Sequence, residues 1–180
     1  VEEVVTSCSD CFHAIARLYP PLGSAFKVTH TVDLLSQLAA DGKLPWRSEV
    51  PMTVTWHDPC HLGRQGEPYV PWEGEEKKVL NQIVTFDPPK PRNNGAKGIY
   101  DQPRDLLRAI PGVELVEMER IREYSWCCGA GGGCREAMPE YSAWTAGERI
   151  EEAVATGAEA LVTACGWCER NFLDSTKAGG

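Results

Sequence analysis

The stretch WCCGAGGGC, residues 126–134, places two adjacent cysteines directly before a turn rich in glycine. Glycine loses more backbone entropy on folding than any other residue and has no side chain to bury, so packing alone does not account for the run. It does let main-chain N–H groups come close to a bulky, electron-rich group that two thiolates anchor. We therefore predict a cradle for a metal cluster, with four glycines as the residues of close approach: Gly129, Gly131, Gly132 and Gly133.

The composition limits the classes of partner. The 180 residues are 42% hydrophobic, which is enough for a packed core, and the net charge is -8. An acidic chain without clustered Lys and Arg argues against a nucleic-acid or anionic-membrane surface. No secretory signal and no apolar run long enough to span a bilayer is visible, so we predict no direct membrane insertion and a cytoplasmic location, with membrane association only through partners.

Eight cysteines dominate the candidate functional residues, and their spacing favours metal binding over disulfides. Two CxxC pairs and one CC pair are typical of metal ligands in a chain without a secretory signal. They lie at positions 8, 11, 60, 127, 128, 134, 165 and 168.

A short internal repeat indicates two homologous units. The segment VVTSCSDC at 4–11 matches LVTACGWC at 161–168, and each reads as a strand, a CxxC turn and a helix. The first copy has no preceding cysteines, so we predict an incomplete first unit. Residues 1–50 then form the C-terminal end of that unit plus a linker, and residues 51–180 form the second unit, with a proline-rich insertion at about 63–98.

The periodicity of the second unit predicts an α/β fold. Strands are expected at 52–56, 113–118 and 160–163, with helices at 101–110 and 139–156 between them. This order predicts a Rossmann-like parallel sheet with flanking helices, and binding sites in such folds lie beyond the carboxyl ends of the strands. Within the insertion we expect one helical turn at 77–83, and we expect a solvated helix face at Glu148, Arg149, Glu151 and Glu152.

The cysteine set resembles the CCG domain of heterodisulfide reductase catalytic subunits and related iron–sulfur oxidoreductases. The motifs that carry the resemblance are DPCH at 58–61, CCGAGG at 127–132 and TAC at 163–165 followed by Cys168, and they cover about residues 52–173. The interval between Cys60 and Cys127 is longer than is usual in that family, and Cys134 stands where an apolar residue is more usual. The insertion resembles that of subunits associated with benzoyl-CoA reductase complexes.

This resemblance implies a non-cubane [4Fe-4S]-type iron–sulfur cluster. Its ligands would be Cys60, Cys127, Cys128, Cys165 and Cys168, while Cys8 and Cys11 would belong to a second, incomplete site. It also implies one-electron transfer, cleavage of a disulfide at the cluster, an upstream ferredoxin-like or flavoprotein partner, and a place in a multi-subunit redox complex.

Two other functions remain open from the residues. Four of the cysteines could form a closed structural zinc site, or the CC and CxxC pairs could act as a thiol redox switch. His57 and His61, on either side of Cys60, are the candidate catalytic residues: they could deliver a proton to a leaving thiolate, donate N–H hydrogen bonds to sulfur, or make ordinary hydrogen bonds. Asp58 is expected to cap the turn before Pro59.

Overall fold

A computed structural model describes residues 1–23 and 27–178 of the chain. No helix in these ranges combines the length and apolar character that crossing a membrane requires. The strands are β1 (Glu3–Thr6), β2 (Lys27–His30), β3 (Met52–Trp56), β4 (Glu75–Val79), β5 (Ile83–Asp87), β6 (Val113–Val116) and β7 (Ala160–Val162). The helices are α1 (Ser9–His13), α2 (Thr31–Ala40), α3 (Asp101–Ala109), α4 (Cys134–Ala137), α5 (Pro139–Ala155) and α6 (Gly166–Ala178).

The central sheet has three parallel strands in the order β6–β3–β7. Met52 pairs with Val113 and Val54 with Ala160, so β3 lies in the middle. Parallel neighbours need crossover connections, which run through α3 between β3 and β6 and through α5 between β6 and β7. The predicted parallel sheet with flanking helices is confirmed.

A second parallel pair, β1 with β2, forms a separate two-stranded sheet. Strand β2 follows directly into α2, where His30 is the N-cap and its Nδ1 accepts a hydrogen bond from the Val32 N–H at 3.2 Å. Residues 43–51, predicted as a linker, contain no helix or strand. Helix α2, which follows β2, packs against α3, which connects β3 and β6 of the central sheet. The two sheets therefore share a helical layer.

The helical turn predicted at 77–83 is wrong, because these residues belong to an antiparallel hairpin of β4 and β5. Leu80 and Asn81 have φ of 52° and 56°, and the Gln82 N–H donates to the Val79 carbonyl at 3.2 Å. Two successive residues of positive φ make a turn whose twist matches that of paired strands. The sequence did not predict this hairpin because it is almost entirely exposed, and the charged residues of β4 leave no alternation of apolar and polar residues.

The solvated face predicted for α5 is also wrong at Arg149 and Glu152. Arg149 is fully buried, and its Nη1 donates to Oε2 of Glu152 at 2.5 Å. Arg120 donates to the other oxygen of Glu152, also at 2.5 Å. A charged side chain becomes this buried when partners satisfy it, which a helical pattern of polar residues does not reveal.

Two clusters of buried hydrophobic residues form within the described part of the chain, and Cys128, Cys165 and Cys168 lie in one of them. Val54, Trp56 and Leu107 form the cluster between the sheet and α3. The other cluster lies against α5 and α6 and consists of Cys128, Ala130, Ala146, Cys165, Cys168 and Phe172.

Candidate metal centre

Each predicted ligand follows a strand of the central sheet. Cys60 lies beyond the end of β3, Cys165 beyond β7, and Cys127 and Cys128 in the loop between β6 and α4. Cys168 lies in the first turn of α6. Because parallel strands end at the same edge of a sheet, these loops converge there.

The structure brings the five thiols together. Cys60 lies beside Cys127, and Cys127 beside Cys128, so that each thiol shifts the pKa of its neighbour. Cys128 in turn lies beside Cys168, and Cys168 beside Cys165, so the series is unbroken. Four of these side chains, those of Cys60, Cys128, Cys165 and Cys168, line one small cavity.

Main-chain N–H groups point at several of these sulfurs. The Gly129 N–H donates to Cys127 Sγ at 3.3 Å, and the Ala130 N–H to Cys128. Hydrogen bonds from the Cys128 and Cys60 thiols, together with that of Gly129, lower the pKa of Cys127 well below that of an ordinary thiol. The Cys168 thiol and the N–H groups of Cys168 and Trp167 lower the pKa of Cys165 to about 6. The site therefore favours the thiolate, the form that binds metals, at Cys127 and Cys165, whereas neighbouring thiols and burial raise the pKa of Cys60, Cys128 and Cys168.

The four glycines of the turn have different environments. Gly129 has φ of 81°, and a Cβ there would lie 2.5 Å from the Ser142 carbonyl oxygen, so close packing against α5 requires it. Gly132 and Gly133 also have positive φ, but a Cβ on either would meet open space. A Cβ on Gly131 would approach His61 Cε1 at 3.9 Å, and Gly131 lines the cysteine cavity. Cofactor approach at these glycines stays a prediction, with Gly131 the best placed.

His57 is buried next to two of the cysteines. A ring nitrogen of His57, Cys128 Sγ and Cys168 Sγ all lie within 4.8 Å of one another. Nδ1 accepts a hydrogen bond from Arg149 Nε at 3.2 Å, while Nε2 is buried without a partner among the described residues. Burial and the charge of Arg149 lower the pKa of His57 to about 3, so the ring is neutral near pH 7. Of the interpretations above, this environment favours an N–H donor.

His61 belongs to a different network, which the sequence did not reveal. Its Nδ1 forms an ion pair with Asp10 of α1, and its ring stacks on His13 with centroids 4.9 Å apart. The hydrogen bond with Asp10 raises the pKa of His61 above its ordinary value, although burial opposes the shift. Asp10 and His61 both line the cysteine cavity. The position of Asp10 inside the first CxxC was the one available signal.

Asp58 does more than cap a turn. Its two oxygens accept hydrogen bonds from Nη1 and Nη2 of Arg104 at 2.7 and 2.8 Å, and others from Trp56 Nε1 and the Arg122 N–H. Burial raises the pKa of Asp58, but the bonds from Arg104 outweigh it and hold the pKa below the usual range. The buried pair of Asp58 and Arg104 attaches the loop that contains Cys60 to helix α3.

Cys8 and Cys11 contact each other rather than joining this series. Cys8 accepts hydrogen bonds from the N–H groups of Asp10 and Cys11, the same two positions that serve Cys165 in the second CxxC. Cys8 and Cys165 line a common open cavity, while Cys11 is exposed. Cys134 is half-buried at the start of α4.

The donor set fits a thiolate-ligated metal cluster. Five buried or half-buried sulfurs exceed the four ligands of a tetrahedral zinc site, and nearby N–H groups favour the thiolate at three of them. The unpartnered His57 Nε2 is a further polar atom beside the sulfurs. Such groups tune the potential of clusters bound by cysteine.

Three relatives illustrate what the chain is similar to. It is 34% identical to a subunit of the dihydromethanophenazine:CoB–CoM heterodisulfide reductase of Methanosarcina mazei, over 96% of this chain and 36% of that protein. It is 33% identical to a probable iron-sulfur-binding oxidoreductase, FadF, of Bacillus subtilis, over 99% of this chain and 21% of that protein. It is 28% identical to the EtfAB:quinone oxidoreductase of Syntrophomonas wolfei, over 99% of this chain and 21% of that protein. The chain thus spans about a third or less of the length of these relatives.

The family model of the cysteine-rich domain, CCG, matches residues 83–172. This range contains four of the five contacting cysteines, and the relatives cover the remainder of the chain, including Cys60. The chain therefore belongs to the cysteine-rich CCG domain family.

Proposed function

We propose that the chain is an iron–sulfur redox domain in which Cys60, Cys127, Cys128, Cys165 and Cys168 hold one cluster. The observation that carries this proposal is the unbroken series of contacts among the five thiols beyond the strands of one parallel sheet. Relatives named as iron–sulfur or heterodisulfide oxidoreductases support the redox role. A number of thiolates above four favours a non-cubane [4Fe-4S]-type cluster over a simple cube.

The protein residues have distinct tasks in this proposal. When bound, the cluster would supply electrons one at a time, and two such transfers would cleave a disulfide into two thiolates. The five cysteines supply the ligands, and the N–H groups of Gly129, Ala130 and Trp167 stabilise negative charge on sulfur. The burial of Cys128 and Cys168 keeps water from that side. Lower solvent access and more N–H···S bonds are the means by which a protein sets a cluster potential.

We further propose that residues 1–50 are the end of a first CCG unit and 51–180 a second one. Both CxxC segments follow a strand and run into the first turn of a helix, and the N–H groups of their third and fourth residues act to lower the pKa of the first cysteine. Cys8 and Cys11 would then be two ligands of a second site whose other ligands lie elsewhere. Relatives named as subunits support a multi-subunit redox complex, and a ferredoxin-like or flavoprotein donor stays a prediction. A complex of the benzoyl-CoA reductase type stays a prediction from the insertion.

Anaerobic reconstitution with iron and sulfide tests the proposal. We expect a brown protein that contains both elements and gives an EPR signal on redox titration. A colourless protein that takes up one zinc ion and no iron would instead establish the structural zinc site. Loss and recovery of titratable thiols on oxidation and reduction, without iron uptake, would favour the thiol switch.

A further inference from the structure

Arg149 is a fully buried cation that bonds His57, the histidine beside the cysteines. Its Nε donates to His57 Nδ1 at 3.2 Å, and its Nη1 donates to the Arg120 carbonyl at 2.9 Å and to Glu152 Oε2 at 2.5 Å. These partners hold the guanidinium in place from two sides. Phe172 packs its edge against the imidazole, with centroids 5.0 Å apart at 90°, and restricts the rotation of the ring.

A guanidinium can only donate hydrogen bonds, since it stays protonated in proteins and offers no acceptor. The His57 nitrogen that faces Arg149 must therefore be an acceptor without a hydrogen. A neutral imidazole carries one N–H, which consequently lies on Nε2.

Nε2 is the nitrogen that lacks a partner among the described residues, and the sulfurs of Cys128 and Cys168 lie beside the ring. A buried donor without a partner costs free energy, whereas a donor next to a thiolate forms a charge-assisted hydrogen bond. We propose that Arg149 is a positioning residue that fixes the tautomer of His57, so that Nε2–H donates to the sulfurs of Cys128 and Cys168. This proposal deepens the redox function above and rests on it for its effect on a cluster.

NMR on the metal-free chain, labelled with ¹⁵N at histidine and kept reduced, tests the tautomer directly. We expect the His57 Nδ1 resonance to be that of a nitrogen without hydrogen and the Nε2 resonance to be that of an N–H. A hydrogen on Nδ1, or on both nitrogens, would overturn the proposal. This result requires no iron, so it stands apart from the outcome of the reconstitution.

Arg149→Gln and Arg120→Gln form a matched pair of variants. Both remove one of the two cations that bond Glu152, but Arg149 alone bonds the imidazole. We expect Arg149→Gln to give a mixture of His57 tautomers and Arg120→Gln to leave the single tautomer. The same single tautomer in a folded Arg149→Gln chain would contradict the role of Arg149.

The reconstituted chain tests the donation to sulfur. A glutamine side-chain amide can occupy the place of Nε2–H, whereas leucine has no donor. We expect His57→Leu to shift the midpoint potential to more negative values, because the reduced cluster loses an N–H···S bond, and His57→Gln to restore most of the shift. Equal potentials in the wild type and in an iron-loaded His57→Leu chain would overturn it.

Discussion

At the scale of single residues, the cysteine site is supported by buried polar side chains that form hydrogen bonds with each other rather than with water. Cys128 and Cys168 are 4% and 2% exposed, and Arg149, which bonds His57 beside them, is fully buried. Asp58 and Arg104 are each 2% exposed and bond through both oxygens and both terminal nitrogens. A change at one of these positions leaves its partner buried and unsatisfied.

We predict that Cys128→Ser abolishes retention of the cluster. Cys128 bonds to both Cys127 and Cys168 and so lies in the middle of the series, and a serine hydroxyl does not replace a thiolate ligand. The measurement is iron and sulfide per chain after anaerobic reconstitution and desalting. Cys134→Ser is the control and should retain the wild-type content, since Cys134 lies outside the series. Equal iron in the two variants would contradict this ligand set.

We predict that Arg104→Leu lowers the free energy of unfolding by about 3–5 kcal/mol, the typical loss when one partner of a buried ion pair is removed. The carboxylate of Asp58 would remain buried without its main partner. Arg108→Leu on the same helix is the control, because its 3.7 Å pair with Asp105 is exposed and contributes at most about 1 kcal/mol. Urea unfolding measures both. Similar losses of unfolding free energy in the two variants would show that the buried pair of Arg104 and Asp58 contributes no more than the exposed pair of Arg108 and Asp105.

At the scale of elements, α5 supports the cysteine loop along much of its length. Ser142 packs against Gly129, the Thr145 carbonyl accepts from Trp126 Nε1 at 3.1 Å, and Arg149 reaches His57. The order of these contacts follows successive turns of one helix face. The helix ends at Ala155, and Gly157 follows with φ of 73°, a conformation that glycine adopts without strain.

We predict that Gly147→Ala stabilises the chain by about 1 kcal/mol. Gly147 lies in the interior of α5, and a Cβ there would meet no atom within 4 Å, so only the higher helix propensity of alanine counts. Gly157→Ala should instead destabilise by about 1–2 kcal/mol, because alanine is strained at positive φ. Thermal and urea unfolding measure the two changes. Stabilisation by both substitutions would exclude the assigned end of the helix.

At the scale of the whole molecule, the N-terminal segment is attached to the cysteine site by contacts distant in sequence. Ser9 Oγ donates to the Ala164 carbonyl at 2.8 Å, and Asp10 pairs with His61. Arg17 donates from Nη2 and Nε to the Gly66 carbonyl at 2.6 and 3.0 Å. The first CxxC turn is therefore held against the second, and Asp10 supplies part of the wall beside Cys60.

We predict that Ser9→Ala loosens this attachment at a cost of about 1 kcal/mol, the usual contribution of one hydrogen bond. Ser9 is fully buried, so the Ala164 carbonyl would lose its partner. Hydrogen–deuterium exchange should then accelerate at both 3–13 and 164–168. Ser175→Ala, which removes a bond within the α5–α6 layer, should leave residues 3–13 protected. Faster exchange at only one of the two segments would mean that they do not depend on each other.

Local information was sufficient for the elements whose pattern is strong. The β-branched run of β3, the amphipathic α3, and the Pro139 and Gly157 boundaries of α5 are confirmed within a few residues. It was insufficient for β4 and β5, because an exposed hairpin stabilised by its turn and by Trp72 against Phe86 has little apolar alternation. It was insufficient for β2 as well, because that strand is formed by pairing with β1.

The sequence by itself determined the chemistry of the site, because CC and CxxC pairs after strands place thiols where parallel strands end. Only the tertiary structure decided which other groups meet them. Asp10 reaches the site from α1 and Arg149 from α5, and Arg149 lies 92 residues from His57 along the chain. Burial, which turns Arg149 from an expected surface residue into a donor to His57, depends on packing between elements. That packing is a property of the whole fold and leaves no local pattern.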